Sequence, residues 1–215
     1  MILVLAALRV EEFVLRAAFG RPRPEVRLER IGMGAPGFDS SGSALRAAKG
    51  NGEIARLIVA GACGALSPDL KAGDVVVGTE IHTIDQEPPL DLFDSGALAE
   101  ALSAIGRTVH LGPIACVDRI VGPEEKARLA GSGAIAVEME TARVAAAVGV
   151  RQGPGDGASS QPAMPISVIR VVSDSAGMQW WNPALVVELA RATGSLYRVG
   201  KVIGSGRIPS EGVPG

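Results

Sequence analysis

Apolar residues in this chain come in short continuous blocks rather than in alternation with polar ones. Residues 2–5, 57–60, 75–77, 114–117 and 166–172 are each rich in β-branched or aliphatic side chains. Blocks of this kind suit strands buried on both faces, as in a sheet covered by helices on each side. Between them, the spacing of apolar positions predicts helices over 10–18, 43–48, 96–105, 124–130 and 142–147, with a closing helical region over 183–191 and around Val199. Such alternation predicts an α/β fold: a single domain over residues 1–204, with a central mixed, mostly parallel sheet flanked by helices. Residues 151–165 (RQGPGDGASSQPAMP) are rich in Gly, Pro and Ser and have no periodicity, so a surface loop insertion is expected there. Residues 205–215 are expected to form a flexible tail.

The chain has 215 residues, 47% of them hydrophobic, and a formal charge of −2. That length supports a core large enough to need no covalent staples. A near-neutral balance without a basic block argues against nucleic acid and against an anionic membrane surface as partners. The apolar run 1–8 is too short to span a bilayer, and it meets Arg9, Glu11 and Glu12 with no basic leader before it. A cytoplasmic protein without a membrane span is therefore expected. Cys63 and Cys116 lie in apolar surroundings without the Cys or His neighbours of a metal site, and they read as inert core thiols. His82 and His110 stand apart and read as surface or interface residues. No metal and no cofactor are expected.

Two stretches carry candidate chemistry. Residues 136–142 (AVEMETA) place Glu138 and Glu140 around Met139 at the start of an alanine-rich run. Residues 168–176 (VIRVVSDSA) read as a buried strand that ends in Ser173 and Asp174. Ligands of open α/β sheets bind at the carboxyl ends of strands, and buried carboxylates are rare unless paired or used. Taken alone, each stretch also has a plain structural reading. A helix bearing Glu138 and Glu140 can present a solvated face, and Asp174 can cap the next helix. Asp74 reads as a loop tie.

Together the two stretches resemble the purine nucleoside phosphorylase / methylthioadenosine–adenosylhomocysteine nucleosidase superfamily. Its members carry V-E-M-E-x-x-A and, after a variable loop, R-x-x-S-D-x-A. The resemblance covers most of residues 1–176 and extends to three further motifs in the expected order: strand one followed by Glu11 (LAALRVEEF), the turn Gly32-Met33-Gly34, and VAGACGAL followed by LKAGDVVV. It implies that Asp174 protonates the departing purine and that Glu11 activates the attacking water. It also implies that Glu140 grips the ribose hydroxyls, that Met139 packs on the sugar and that Ser173 steers Asp174. Glu138, Ile120, Val121, Gly64 and Leu8 complete the implied substrate-binding set, while Gly34, Ala62 and Arg9 would surround an anion or water pocket. Arg170 either pairs with an acid or anchors the strand end.

The sequence departs from both branches of that superfamily. Ala62 stands at the serine of the G-S-x-G turn and no arginine precedes the turn, which weakens a phosphate site; Arg9 keeps phosphorolysis, with phosphate as co-substrate, as the alternative. Ile120 occupies the place of a purine-stacking phenylalanine, so the ring–ring contribution of roughly 0.5–1.5 kcal/mol is missing. The expected reaction is hydrolysis of the N-glycosidic bond of a purine nucleoside, a 5′-modified adenosine. The short chain and the turn before Asp74 further resemble the hopanoid-associated nucleosidases, which remove adenine from adenosylated hopanoid lipids; that branch usually has aspartate where Glu138 stands. A homodimer or higher homo-oligomer is expected, with Trp180 and Trp181 at the pocket rim or a subunit contact.

Overall fold

The structure is a computed structural model, and it describes residues 1–21, 23–35, 53–83, 86–148, 164–174, 176 and 184–208. The helix expected over 43–48, residues 151–163 of the expected loop, Trp180, Trp181 and residues 209–215 of the tail lie outside the described residues. The elements follow in the order β1 (Ile2–Ala6), α1 (Arg9–Phe19), β2 (Val26–Arg30), β3 (Arg56–Ala65), β4 (Val75–Thr83), β5 (Gln86–Asp91), α2 (Ser95–Ser103), β6 (Val109–Cys116), α3 (Pro123–Ala130), β7 (Ala136–Glu138), α4 (Thr141–Ala147), β8 (Ile166–Asp174) and α5 (Ala184–Gly204).

All five continuous apolar blocks form strands, and their burial explains why they do not alternate. β1 and the first six residues of β3 are buried throughout, with apolar clusters on both sides of the sheet. Along β8, Ile166, Val168 and Val172 join one cluster while Ile169 and Val171 join the other. Helices α1, α2 and α5 cover one face through Val14, Leu15, Leu98, Leu102, Leu196, Val199 and Ile203. Helix α4 covers the opposite face through Val144 and Ala145.

Strands β2, β5 and β7 have no counterpart among the apolar blocks. β2 (VRLER) is a half-exposed edge, paired in parallel to β1 alone among the named strands. β5 carries Pro88 and Pro89 and pairs with β4 alone among the named strands, the kind of edge position that tolerates proline. β7 is three residues long, and the helix expected over 142–147 follows as α4, so the plain reading of a helix bearing both acids does not hold. Glu138 ends this strand, and Glu140 sits immediately before α4. The closing helix is a single continuous element of 21 residues.

Strand pairing folds part of the sheet on itself. β3 pairs with β8 in parallel and with β7 antiparallel, β8 pairs antiparallel with β4, β4 pairs in parallel with β6, and β6 in parallel with β7. This closed circuit brings Gly64 level with both Val137 of β7 and Asp174 of β8. The carboxyl ends of β3 and β8 therefore open beside β7, and the candidate residues collect there.

Candidate active site

A solvent-open cavity of about 260 Å³ lies at this strand-end cluster. Its lining contains Glu11 and Leu8 from the β1–α1 junction, Ala62 and Gly64 from β3, Ile120 and Val121 after β6, Glu138, Met139 and Glu140 around the end of β7, and Ser173 and Asp174 from β8. These groups are far apart in the chain and are assembled by the sheet circuit. Two expected residues stand outside the lining: Arg9 is exposed, and the backbone of Gly34 serves neighbouring side chains. Val117, Met33, Cys63, Arg119 and Lys126 also line the cavity.

Glu11 is buried, and its two carboxylate oxygens are spent on backbone donors. Oε2 accepts from the N–H groups of Ala7 at 3.0 Å and Leu8 at 2.8 Å, closing the start of α1. Oε1 accepts from the Ala62 N–H at 2.7 Å, across the sheet. Gly61 allows this approach. A Cβ there would stand 2.8 Å from Glu11 Oε1 and 2.9 Å from Arg170 Nη1, closer than side chains tolerate. Residue 61 must therefore lack a side chain for the carboxylate and the guanidinium to converge.

Arg170 resolves the choice left open by its sequence: it pairs with acids. Its Nη2 donates to Glu138 Oε2 and lies 3.1 Å from Glu140 Oε2. Burial alone would lower the guanidinium's proton affinity, but Glu138 and Glu140, with Glu11 beyond them, outweigh it and raise it above its ordinary value. The side chain is 1% exposed, and its Nε has no partner among the described residues. A fully desolvated cation of this kind is held by its counter-charges.

The two acids of the VEME stretch have separate tasks. Glu138 is fully buried and accepts from the N–H groups of Glu140 and Thr141, from the Thr141 hydroxyl and from Arg170. It shapes the turn into α4. Glu140 reaches the cavity: Oε1 accepts from the Gly34 N–H at 3.1 Å, and Arg143 Nη1 donates to the Gly34 carbonyl at 2.7 Å. Burial pushes the Glu140 carboxyl above its ordinary value; Arg170 pulls it back, and Glu138 adds to the rise. Among the described residues no group of three His, Cys, Asp or Glu side chains is arranged to hold a metal ion.

At the far side of the cavity, Asp174 is 28% exposed and is held at both oxygens. The Ser173 hydroxyl lies 3.0 Å from Oδ1, and the Lys126 ammonium donates to Oδ2. Ile120, 73% exposed, stands at the mouth with Val117 and Val121 forming an aliphatic wall. The loop-tie reading of Asp74 holds, as its Oδ2 accepts from the Lys71 N–H at 3.0 Å and contacts His110 Nε2 at 3.1 Å. His82 contacts Glu80 at 2.9 Å, away from the cavity.

Lys126 was not legible in the sequence. It sits in PEEKAR, among Glu124, Glu125 and Arg128, where a charge run ordinarily marks a solvated helix face. Its burial follows only from the way α3 lies over β7.

Several comparisons place this architecture. The chain resembles, over 95% of its length, the 5′-methylthioadenosine/S-adenosylhomocysteine nucleosidase of Helicobacter pylori, with 22% identity, 96% of that chain covered and a TM-score of 0.68. It likewise matches the futalosine hydrolase of the same organism at 22% identity, 95% coverage of each chain and a TM-score of 0.70. The nucleosidase of Neisseria meningitidis aligns at 23% identity, with 95% of this chain and 98% of that chain covered and a TM-score of 0.66. A curated relative, a DeoD-type purine nucleoside phosphorylase of Colwellia psychrerythraea, is 29% identical over 124 residues, and the match spans 52% of this chain and 52% of that protein. The family profile described as the Phosphorylase superfamily matches residues 12–192, and the chain belongs to that superfamily.

Proposed function

We propose that this protein hydrolyses the N-glycosidic bond of a purine nucleoside carrying a modified 5′ position, releasing the free base. The observation that carries the reading is the Glu11 carboxylate. It takes the N–H groups of Ala7, Leu8 and Ala62, which a phosphate would otherwise use, and it puts a negative charge there. The cations in the described lining are also committed to carboxylates, Lys126 to Asp174 and Arg119 to Asp118 and Glu125. An anionic co-substrate is repelled by such a floor, whereas a water is polarised by it.

In the reaction the C1′–N9 bond breaks as the sugar gains oxocarbenium character, and water adds to C1′. Glu11 accepts a proton from that water. Asp174 takes up a proton from solvent as the nucleoside binds and passes it to the purine, so the base leaves neutral and the carboxylate left behind pairs with the Lys126 ammonium. Glu140 accepts hydrogen bonds from the ribose hydroxyls and fixes the sugar over the attacking face. Met139 lies against the ribose, and Val117, Ile120 and Val121 flank the base. No cofactor takes part.

The nucleosidase and futalosine hydrolase neighbours support this reading, and their names supply the first substrates to try. The phosphorylase name of the curated relative favours the second reading, phosphorolysis of a similar nucleoside. A panel of adenosine, inosine, 5′-methylthioadenosine, S-adenosylhomocysteine, futalosine and an adenosylated hopanoid, assayed for released base with and without inorganic phosphate, separates them. Base release that is independent of phosphate is the expected result. Release only with phosphate, with ribose 1-phosphate formed, would establish phosphorolysis instead, and no release from any member would exclude both.

A further inference from the structure

We propose that Lys126 is a positioning residue for Asp174, an assignment that rests on the nucleosidase reading. The Lys126 ammonium holds Oδ2, the Ser173 hydroxyl reaches Oδ1 at 3.0 Å, and the carboxyl group is thereby presented to the base in one orientation. Helix α3 is otherwise an outer helix, and Lys126 is its buried residue, 5% exposed. Placing a lysine there costs desolvation energy that only a counter-charge offsets. A residue chosen merely to pack α3 on the sheet would be aliphatic.

The approach of Lys126 is built into β3. A Cβ on residue 64 would lie 3.1 Å from Lys126 Nζ and 3.2 Å from its Cε, so a side chain at residue 64 would crowd the lysine stem. Gly64 is also the β3 residue in register with Asp174 on β8. The glycine, the lysine and the acid therefore meet at one point of the cavity wall, contributed by three elements. An ion pair that only tied α3 to the sheet would affect stability. A pair that orients the proton donor affects the chemical step.

The test uses base release from 5′-methylthioadenosine, or from whichever panel member is turned over fastest. Lys126→Met keeps an unbranched apolar stem and removes the charge. Its kcat is expected to fall about 10- to 100-fold, the scale of a misoriented catalytic group, with KM changed less than about threefold. In an Asp174→Asn background the same substitution should have no further effect, because the group it orients is gone. Lys126→Cys should be similarly slow and should recover on treatment with 2-bromoethylamine, whose carbon bonds to the thiolate sulfur as bromide leaves, restoring an ammonium at the length of lysine. Wild-type protein treated in the same way is the control, because Cys63 and Cys116 are buried to about the same degree as position 126. Wild-type kcat in Lys126→Met, full additivity with Asp174→Asn, or no recovery on alkylation would each overturn the assignment. Should Lys126→Met fail to fold, the cysteine variant before and after alkylation decides alone. Base release by the wild type measures the nucleosidase reading separately; with none, both fall.

Discussion

The Ala62 N–H donates to Glu11 Oε1 at 2.7 Å, joining β3 to the start of α1. Ala62 stands where the superfamily pattern has a serine. The missing hydroxyl matters less than the carboxylate that has taken the backbone donor beside it. Glu11→Gln keeps the size of the side chain but halves its acceptor capacity and removes the base. Phosphate-independent base release is expected to drop by at least about a hundredfold. A variant that stays active only when phosphate is supplied would mark phosphate as the nucleophile.

Asp174→Asn leaves the Ser173 contact available and removes the proton donor together with the charge that pairs Lys126. Turnover is expected to fall by about 10²–10⁴-fold while nucleoside binding, followed by titration calorimetry, changes little. Turnover close to wild type would take Asp174 out of the mechanism.

With the proposed ribose role, Glu140 should set an acid limit on activity. Its carboxyl is raised by burial, so on acidification it takes up a proton at a pH above that of an ordinary glutamate, near 4.3. The charged acceptor for the ribose hydroxyls is present above that raised value and is lost as pH falls through it. The acidic limb of kcat/KM should therefore lie above the ordinary glutamate range and should vanish in Glu140→Gln, whose KM is raised throughout. Wild-type protein should also use 2′-deoxynucleosides poorly; equal efficiency on both sugars would contradict the ribose role.

Cys63 lines the cavity yet should not react. Burial pushes its thiol up to about 12, and Cys116 is raised by the same cause. At pH 8 roughly one Cys63 in 10⁴ is thiolate. Native protein treated with a thiol reagent at that pH should retain its activity and show both thiols only after denaturation. Rapid inactivation would mean that the cavity opens further than its structure shows.

Leu8, Val10 and Phe13 expose apolar surface at the start of α1, and Leu8, Val10 and Leu189 line the groove between α1 and α5; Phe13 is 72% exposed. A second copy of this chain seated there would cover the surface and continue the substrate cavity, as expected of a homodimer. Sedimentation should give a dimer at micromolar concentration, and Phe13→Glu should give a folded monomer. A wild-type monomer would refute the expectation.

Much of the framework was written in the local pattern of the chain. Blocks such as 57–60 and 166–172 are apolar on both faces, and that property alone requires helices on each side of a sheet. Asp174 at the end of such a block was recognisable because a strand's carboxyl end and a polar break coincide in sequence. Contacts within three or four residues, such as Glu11 reaching the Leu8 N–H, also belong to local geometry. Edge strands escaped for the same reason, since β2 and β5 bury little and their composition follows solvent and proline tolerance rather than a core.

The division of labour between the site's charges belonged to the tertiary structure. Glu138 and Glu140 are two residues apart and look equivalent in sequence, and both line the cavity and contact Arg170, yet Glu138 takes the N–H groups at the start of α4 while Glu140 accepts from Gly34, 106 residues away. Lys126 looks like one more solvated charge until α3 lies across Gly64 and delivers it to Asp174, 48 residues later. Local sequence sets whether a side chain can be buried and on which face of its element. The strand register, closed by the circuit of β3, β8, β4, β6 and β7, sets which counter-charge it meets once there, and in a desolvated site that partner decides what the group can do.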